Sequence, residues 1–420
     1  MLRRAGAGRR GGRAGGVVSV LALVRRRPAA GGTAILQPLA PPRERRTAAA
    51  SAQAAVATET WEGRALVGLT LVAFCFGVLE MYSASAFLAR TEGLPSWFFA
   101  VKQLKAAALG VVIAALLSRV DYRRFRLWAW PMLVGVTVLL IVVIMPGTES
   151  IAPRINGARR WINLGMSFQP SELAKIAVML WTAALVVKKA DKLHSLRKGL
   201  VPFLVVWLPV AMLVLLEPNM SAALLIVLLA SLVLFAGGAR IGHFIFFGML
   251  AVPLIWHQIT HAGYRMQRIA AFLDPTGHHQ IHQSLIAIGS GGLRGVGIGA
   301  SRQKYGFLPE PHNDFLFAMI AEEWGLFGIL LVVAIFAAFL WLGYRIAARA
   351  PDRFGYLVAI GMTNMIAVSA FMHMGVALSL LPTTGVALPF MSYGGSALLG
   401  YFAAVGILLS VARAAKAGPG

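Results

Sequence analysis

Apolar segments of about 17 to 25 residues recur along most of this chain, each long enough to cross a hydrocarbon core of roughly 30 Å. No water satisfies backbone groups inside a bilayer, so such runs, lacking period-2 alternation, dictate a helical bundle and not a barrel. Ten spans are expected, near residues 66–87, 98–117, 128–145, 171–187, 200–216, 220–237, 242–258, 314–342, 356–380 and 394–412. The fold class is therefore all-α, a polytopic membrane protein with a large extracytoplasmic loop between spans seven and eight. With 58% of residues hydrophobic, the composition agrees.

The formal charge of +23 does not point to nucleic acid, because its distribution is uneven. Eleven arginines fall in the first 46 residues with Glu44 as the only acid among them. That stretch, rich in Gly, Ala and Arg, cannot bury enough apolar surface to fold alone. Residues 1–62 are expected to be a disordered cytoplasmic tail, 63–414 the membrane domain and 415–420 a short second tail. The remaining cations follow the positive-inside rule: Arg119, Arg123, Arg124 and Arg126, then Lys188 to Lys198, then Arg345, Arg349 and Arg353 mark the cytoplasmic side. Both termini are expected there. Two long loops on the other side also carry cations, namely Arg154, Arg159 and Arg160, then Arg265, Arg268, Arg294, Arg302 and Lys304. Long loops are exempt from the rule; an anionic ligand and attraction to lipid head groups both explain the clustering. The lone cysteine, Cys75, excludes an internal disulfide.

The stretch from Leu308 to Asp314 sets Glu310, His312 and Asp314 at the mouth of the eighth span. Charge there is costly unless it meets water, a partner or a cavity, which makes it a functional candidate. Asp314 admits two readings, a helix N-cap or a partly desolvated general base tuned by Glu310 or His312. Deeper in the same span, Glu322 and Glu323 are expected to pair with buried polar groups. The loop before Asp314, with Gly289, Gly291, Gly292, Gly295, Gly297 and Gly299, is too long for a bare connector and is expected to fold as a lid or binding element, with a short amphipathic helix over 281–288 on the membrane surface.

A second group runs from Gly157 through Arg160 and Trp161 to Gln169, Ser171, Glu172 and Lys175. Pro170 with Ser171-Glu172 marks a helix start, and Glu172 and Lys175 share a helical face. A local ion pair is one reading; the other gives Arg160 and Lys175 to a diphosphate and Trp161 to a sugar ring or the lipid interface. A third group, Leu381 to Ser396, places Pro and Gly at membrane depth, where backbone lines a cavity or small residues pack helices. Ser392, Gly394, Gly395 and Ser396 are its candidates for a head group. Histidines 257 and 261, and 278, 279 and 282, lack a local carboxylate to complete a zinc set. A hard cation, Mg²⁺ or Mn²⁺, at Asp314 together with a diphosphate suits the chemistry better.

Taken together, NGARRWINLG, FQPSELAK, YRMQRIAAFLDP with the glycine-rich run through LPEPHNDF to AEEWG, and LPTTGVALPFMSYGGS resemble the SEDS family of shape, elongation, division and sporulation proteins. The resemblance covers about residues 64–412, with the long tail and the LPTTG form nearer the division-type members. It implies a peptidoglycan glycosyltransferase that polymerises lipid II at the outer face of the cytoplasmic membrane. It also implies partners: the growing glycan strand, a class B penicillin-binding protein that cross-links it, and other divisome proteins. Asp314 matches the family's essential aspartate. Two departures stand out, Pro218-Asn219-Met220-Ser221 where an acid-containing form is common, and Asn313 where Thr is frequent. A lipid II flippase is the competing class, but polar residues on the inner half are sparse. A scaffold without catalysis would have no need of the Asp314 cluster.

Overall fold

The computed structural model describes residues 60–155, 157–163, 167–261 and 263–416, within one compact unit, Ala55–Gly420. The expected tail lies outside these residues except at its end, where the expectation is corrected. Thr60 accepts a hydrogen bond from Gly63 N at 3.2 Å and caps a helix that already starts at Trp61. Glu62, which reads as linker in the sequence, is buried and pairs with Arg345 at 3.6 Å and with Arg349. At the other end the last helix runs through Lys416, past the expected boundary at 414.

The described residues form α1 (Trp61–Thr91), α2 (Phe98–Arg119), α3 (Arg123–Ile144), α4 (Pro170–Lys188), α5 (Val201–Leu216), α6 (Met220–Ala236), α7 (Ile241–Thr260), α8 (Gly263–Leu273), α9 (His279–Gly291), α10 (Leu316–Ala348), α11 (Arg353–Ala377) and α12 (Gly395–Lys416). Nine of these segments, α5 being extended back to Leu196, are long and apolar enough to cross a membrane, and α6, at 17 residues, is a shorter apolar tenth. Several starts have a local cause. Pro170 takes the first position of α4, where its missing N–H is no loss. Asn219 Oδ1 accepts from Ala222 N at 3.2 Å to cap α6, and Asp352 Oδ1 accepts from Gly355 N at 2.7 Å to cap α11. Most of α4, α11 and α12 is buried, so these form the centre, whereas most of α7 is exposed or only partly buried.

The only strands among the described residues are β1 (Ile162–Asn163) and β2 (Ser167–Phe168), antiparallel, with Ile162 opposite Phe168. Because consecutive spans reverse direction, the described residues of segments 92–97, 145–169, 217–219, 261–315 and 378–394 gather at one end of the bundle.

The long loop is folded, as expected, though its helix α9 lies against the bundle: Ile281, Ser284 and Ala287 on one face are buried, and Ser284 Oγ donates to Ala377 O at 2.8 Å. The glycines explain the next step. Gly325 (φ 62°, ψ −149°) breaks α10, a conformation only glycine adopts without strain. The break exposes the carbonyls of Glu322 and Glu323, which accept from Val296 N (3.0 Å) and Gly297 N (3.1 Å), while Leu326 N donates to Gly292 O at 2.9 Å. A Cβ on Gly295 would sit 2.1 Å from Glu323 O, so only glycine permits this approach. Non-helical backbone is thus satisfied by protein.

Candidate active site

At the loop-bearing end lies a cavity of about 620 Å³. Its wall includes Trp161, Gln169, Glu172, Lys175, Gly394, Gly395 and Ser396 from the expected set. Lys175 is buried and its Nζ stands 2.7 Å from Glu172 Oε2, with the ring of Tyr401 5.9 Å away. The ion pair read from their spacing is therefore present, and it opens to the cavity. A buried ammonium left alone would be costly, so the pair is what keeps a cation at this depth. Ser396 ties the wall together: its hydroxyl accepts from Gln169 N at 3.0 Å and donates to Ser167 O at 3.0 Å.

Other expected residues stand elsewhere. Arg160 is outside the wall; its Nε donates to Glu217 O at 3.0 Å and its Nη2 to Pro218 O at 2.5 Å, fixing the α5–α6 turn. The guanidinium fork that suits a phosphate also suits two adjacent carbonyls, and spacing in the sequence does not distinguish them. Ser171 is fully buried behind the wall. Ser392 turns its hydroxyl inward to accept from Leu388 N at 3.1 Å, a turn contact that takes it off the cavity surface. Nearby, Glu217 is buried with neither carboxylate oxygen hydrogen-bonded among the described residues, and burial pushes it up to about 8 against the pull of Arg160.

The wall also contains residues that sequence reasoning missed. Lys102 and Lys105, three apart on α2, line it together with Gln103, whose Nε2 donates to Ser392 O at 2.9 Å. Two lysines at the start of an apolar span were the available signal. Asn219 and Ser221 line it as well, so the position that lacks the usual acid still reaches the cavity, with Asn219 acting as a cap. The starts of α4, α6 and α12 converge here through Gln169, Asn219 and Gly395. Each helix N-terminus carries roughly half a positive charge, so the cavity favours an anion beyond what its lysines supply.

The segment 308–315 reaches this wall through Asn313. Its backbone is pinned to the other side, because Tyr393 N donates to His312 O at 3.0 Å. His312 is buried between Phe99 and Tyr393, at ring distances of 4.9 and 5.6 Å, and burial pushes its imidazole down to about 4. It is neutral at pH 7 and contributes packing, not charge. Glu310 is largely exposed, with φ 51° in the left-handed region, and its carbonyl accepts from the N–H groups of both Asn313 and Asp314. That tight turn presents Asp314.

Asp314 itself is not a cap. α10 starts at Leu316 after Phe315, with no side-chain cap bond; the Phe317 N–H goes to His373 Nε2 at 3.4 Å. The Asp314 carboxylate is half-buried and has no hydrogen-bonding side chain or backbone partner among the described residues. Burial, reinforced by Glu310 and opposed by Arg268, pushes it up to about 6. Such a group switches between acid and base near neutrality. For Mg²⁺ or Mn²⁺ the protein donors do not fit by themselves: no three ligating side chains converge among the described residues.

Residues 64–417 match the family described as cell cycle protein, FtsW/RodA/SpoVE. The chain belongs to this family. Stage V sporulation protein E of Bacillus subtilis (strain 168) is 40% identical over 354 residues, 83% of this chain and 96% of that protein. The probable peptidoglycan glycosyltransferase FtsW of Trichlorobacter lovleyi is 40% identical over 350 residues, 82% of this chain and 91% of that protein. Among solved structures, a chain from a peptidoglycan synthase complex that coordinates polymerization and crosslinking superposes with a TM-score of 0.69 at 27% identity, covering 85% of this chain and 98% of its own. The crystal structure of the rod shape determining protein RodA of Thermus thermophilus gives 0.60 at 27% identity, covering 85% and 97%. The family's fold accounts for the multi-pass helical architecture found here, and the resemblance read from the four motifs holds.

Proposed function

We propose that this chain is a peptidoglycan glycosyltransferase that polymerises lipid II at the outer face of the cytoplasmic membrane, with both termini cytoplasmic. The observation that carries the reading is Asp314: a carboxylate without a hydrogen-bond partner among the described residues, raised toward neutrality, and next in the chain to Asn313 in the wall of a cavity lined by lysines and helix N-termini. In the reaction, the 4-hydroxyl of the acceptor GlcNAc attacks C1 of the donor MurNAc. Asp314 takes the hydroxyl proton as the new C–O bond forms, an assistance worth about 10²- to 10⁴-fold. The C1–O bond to the diphosphate breaks with inversion, and its electron pair leaves with undecaprenyl diphosphate. Lys102, Lys105, Lys175 and the starts of α4, α6 and α12 offset the charge that develops on the leaving group. Trp161 offers a face to a sugar ring. Any Mg²⁺ or Mn²⁺ would take most of its ligands from the diphosphate, and no step is assigned to it.

The relatives named FtsW favour a role in septal wall synthesis, and the synthase-complex neighbour favours a class B penicillin-binding protein as working partner. The deciding experiment incubates purified wild type and Asp314→Asn, each with its cognate transpeptidase, with labelled lipid II and Mg²⁺ or Mn²⁺. Glycan ladders from wild type alone support the reading. Ladders from both move the base elsewhere. Ladders from neither, with folding and partner binding intact, favour a flippase or a scaffold.

A further inference from the structure

The segment 292–315 leaves α9 and returns as α10, and two carboxylates of α10 hold its middle. Glu322 Oε2 accepts from Ser301 Oγ at 2.5 Å, and its Oε1 accepts from Arg302 N at 3.0 Å. Glu323 reaches two elements at once. Its Oε2 accepts from Gly299 N at 2.7 Å, and its Oε1 accepts from Ser83 Oγ of α1 at 2.7 Å. Lys304 Nζ lies 3.6 Å from Glu323 Oε1 and 3.5 Å from Ser83 Oγ, and also donates to Gly299 O. Tyr305 then packs edge-on against Phe87 of α1, with ring centroids 5.1 Å apart. Glu323 and Lys304 are both buried, at 2% and 8% exposure.

A buried ion pair contributes less to stability than apolar side chains of the same size, so stability alone does not account for it. What such a pair does provide is a fixed register, because each charge tolerates few alternative partners. The register fixed here is that of the segment carrying Asp314. Lys304 anchors its start to α10 and α1, and the Tyr393 N–H to His312 O bond anchors its end to the cavity wall. We propose that Glu323 is a positioning residue: through Gly299, Lys304 and Ser83 it latches the 299–314 segment to α1 and so sets where the Asp314 carboxylate stands relative to the cavity. The proposal rests on the polymerase reading of that site. Displacements of about 1 Å at a reacting group cost on the order of a hundredfold in rate, so a loosened latch shows in kcat first.

The test uses the full-length protein with its transpeptidase partner and three variants, Glu323→Gln, Lys304→Met and the two combined. Polymerisation kinetics, melting temperature and hydrogen exchange over 296–315 are read for each. Glu323→Gln is expected to lower kcat about tenfold or more, with KM within about twofold, and to speed exchange across 296–315. The double variant, which has no unpaired buried lysine, is expected to recover the melting temperature but not kcat. A kcat that simply follows melting temperature across the three variants would overturn the proposal, as would a folded Glu323→Gln with wild-type kcat. If wild type makes no polymer, the functional reading fails separately. Exchange then decides the latch: loss of protection in Glu323→Gln supports it, and unchanged protection overturns it.

Discussion

Asp314 and Glu322 stand eight residues apart on one segment, and the fold treats their carboxylates in opposite ways. Glu322 is buried and both its oxygens are occupied, by Ser301 and the Arg302 N–H. Asp314 is half-buried, with neither oxygen occupied among the described residues, and it is pushed up to about 6. A buried carboxylate engaged at both oxygens holds structure, because burial closes its remaining acceptor directions to a ligand. An unsatisfied one, next in the chain to the cavity-lining Asn313, costs the fold something and stays open to a ligand. The same contrast divides the two ends of the bundle. Away from the cavity, Glu62 is held by Arg345 and Arg349, and Asp352 by Tyr122, Gly355 and Arg123, whereas the Glu172–Lys175 pair opens to the cavity.

The largest expected effect separates the two carboxylates outright. Asp314→Asn should lower polymerisation by about 10²-fold or more, without lowering the melting temperature. The sign follows from linkage. A carboxyl raised by folding destabilises the native state as pH rises from the ordinary carboxylate range through about 6, so at pH 7 the amide removes a penalty. The melting temperature of Asp314→Asn should therefore equal or exceed that of wild type at pH 7, and the difference should vanish near pH 4. Thermal scans at the two pH values check this.

Glu322→Ala should behave in the reverse way. It leaves the buried Ser301 hydroxyl and the Arg302 N–H without their acceptor, at a cost of about 2 kcal/mol of stability. Denaturant or thermal unfolding in detergent measures that loss. Activity per folded molecule should fall less than in Asp314→Asn; an equal fall with intact folding would give Glu322 a chemical role and break the comparison.

The smallest effects belong to the exposed lysines. Lys102→Gln or Lys105→Gln should each lower kcat/KM for lipid II about fivefold, on the order of 1 kcal/mol. Titrations at rising ionic strength should shrink the difference, since exposed charges are screened.

Much of this was legible in the sequence, for physical reasons. Charge at membrane depth is costly enough that Asp314, Glu172 and Lys175 stand out against their surroundings, and Pro170 announces the start of α4. The glycine run from Gly289 to Gly299 pointed to a folded element, and Gly291 and Gly295 of that run give it close backbone approach to α10 near Gly325. What stayed hidden depends on partners distant in the chain. Arg160 shows a donor fork but not its acceptors, which turned out to be two carbonyls 57 and 58 positions away. Ser392 has a hydroxyl whose direction only the local turn decides. Lys102 and Lys105 look like ordinary interfacial lysines until the bundle closes around them. The convergence of the starts of α4, α6 and α12 has no signature along the chain at all. Trp61 and Glu62 read as tail because the partners of Glu62, Arg345 and Arg349, lie at the far end of another span.

Asp314, without a hydrogen-bond partner among the described residues, is the proton acceptor on this account, and the dependence of kcat/KM on pH tests that most directly. With the wild-type protein and its transpeptidase, kcat/KM for lipid II should rise about tenfold per unit at low pH and level off above an inflection near 6, where Asp314 becomes ionised. The residual activity of Asp314→Asn should lack that inflection. A wild-type profile that is flat between about pH 5 and 7.5, or an inflection that survives in Asp314→Asn, would contradict the assignment of Asp314 as the base.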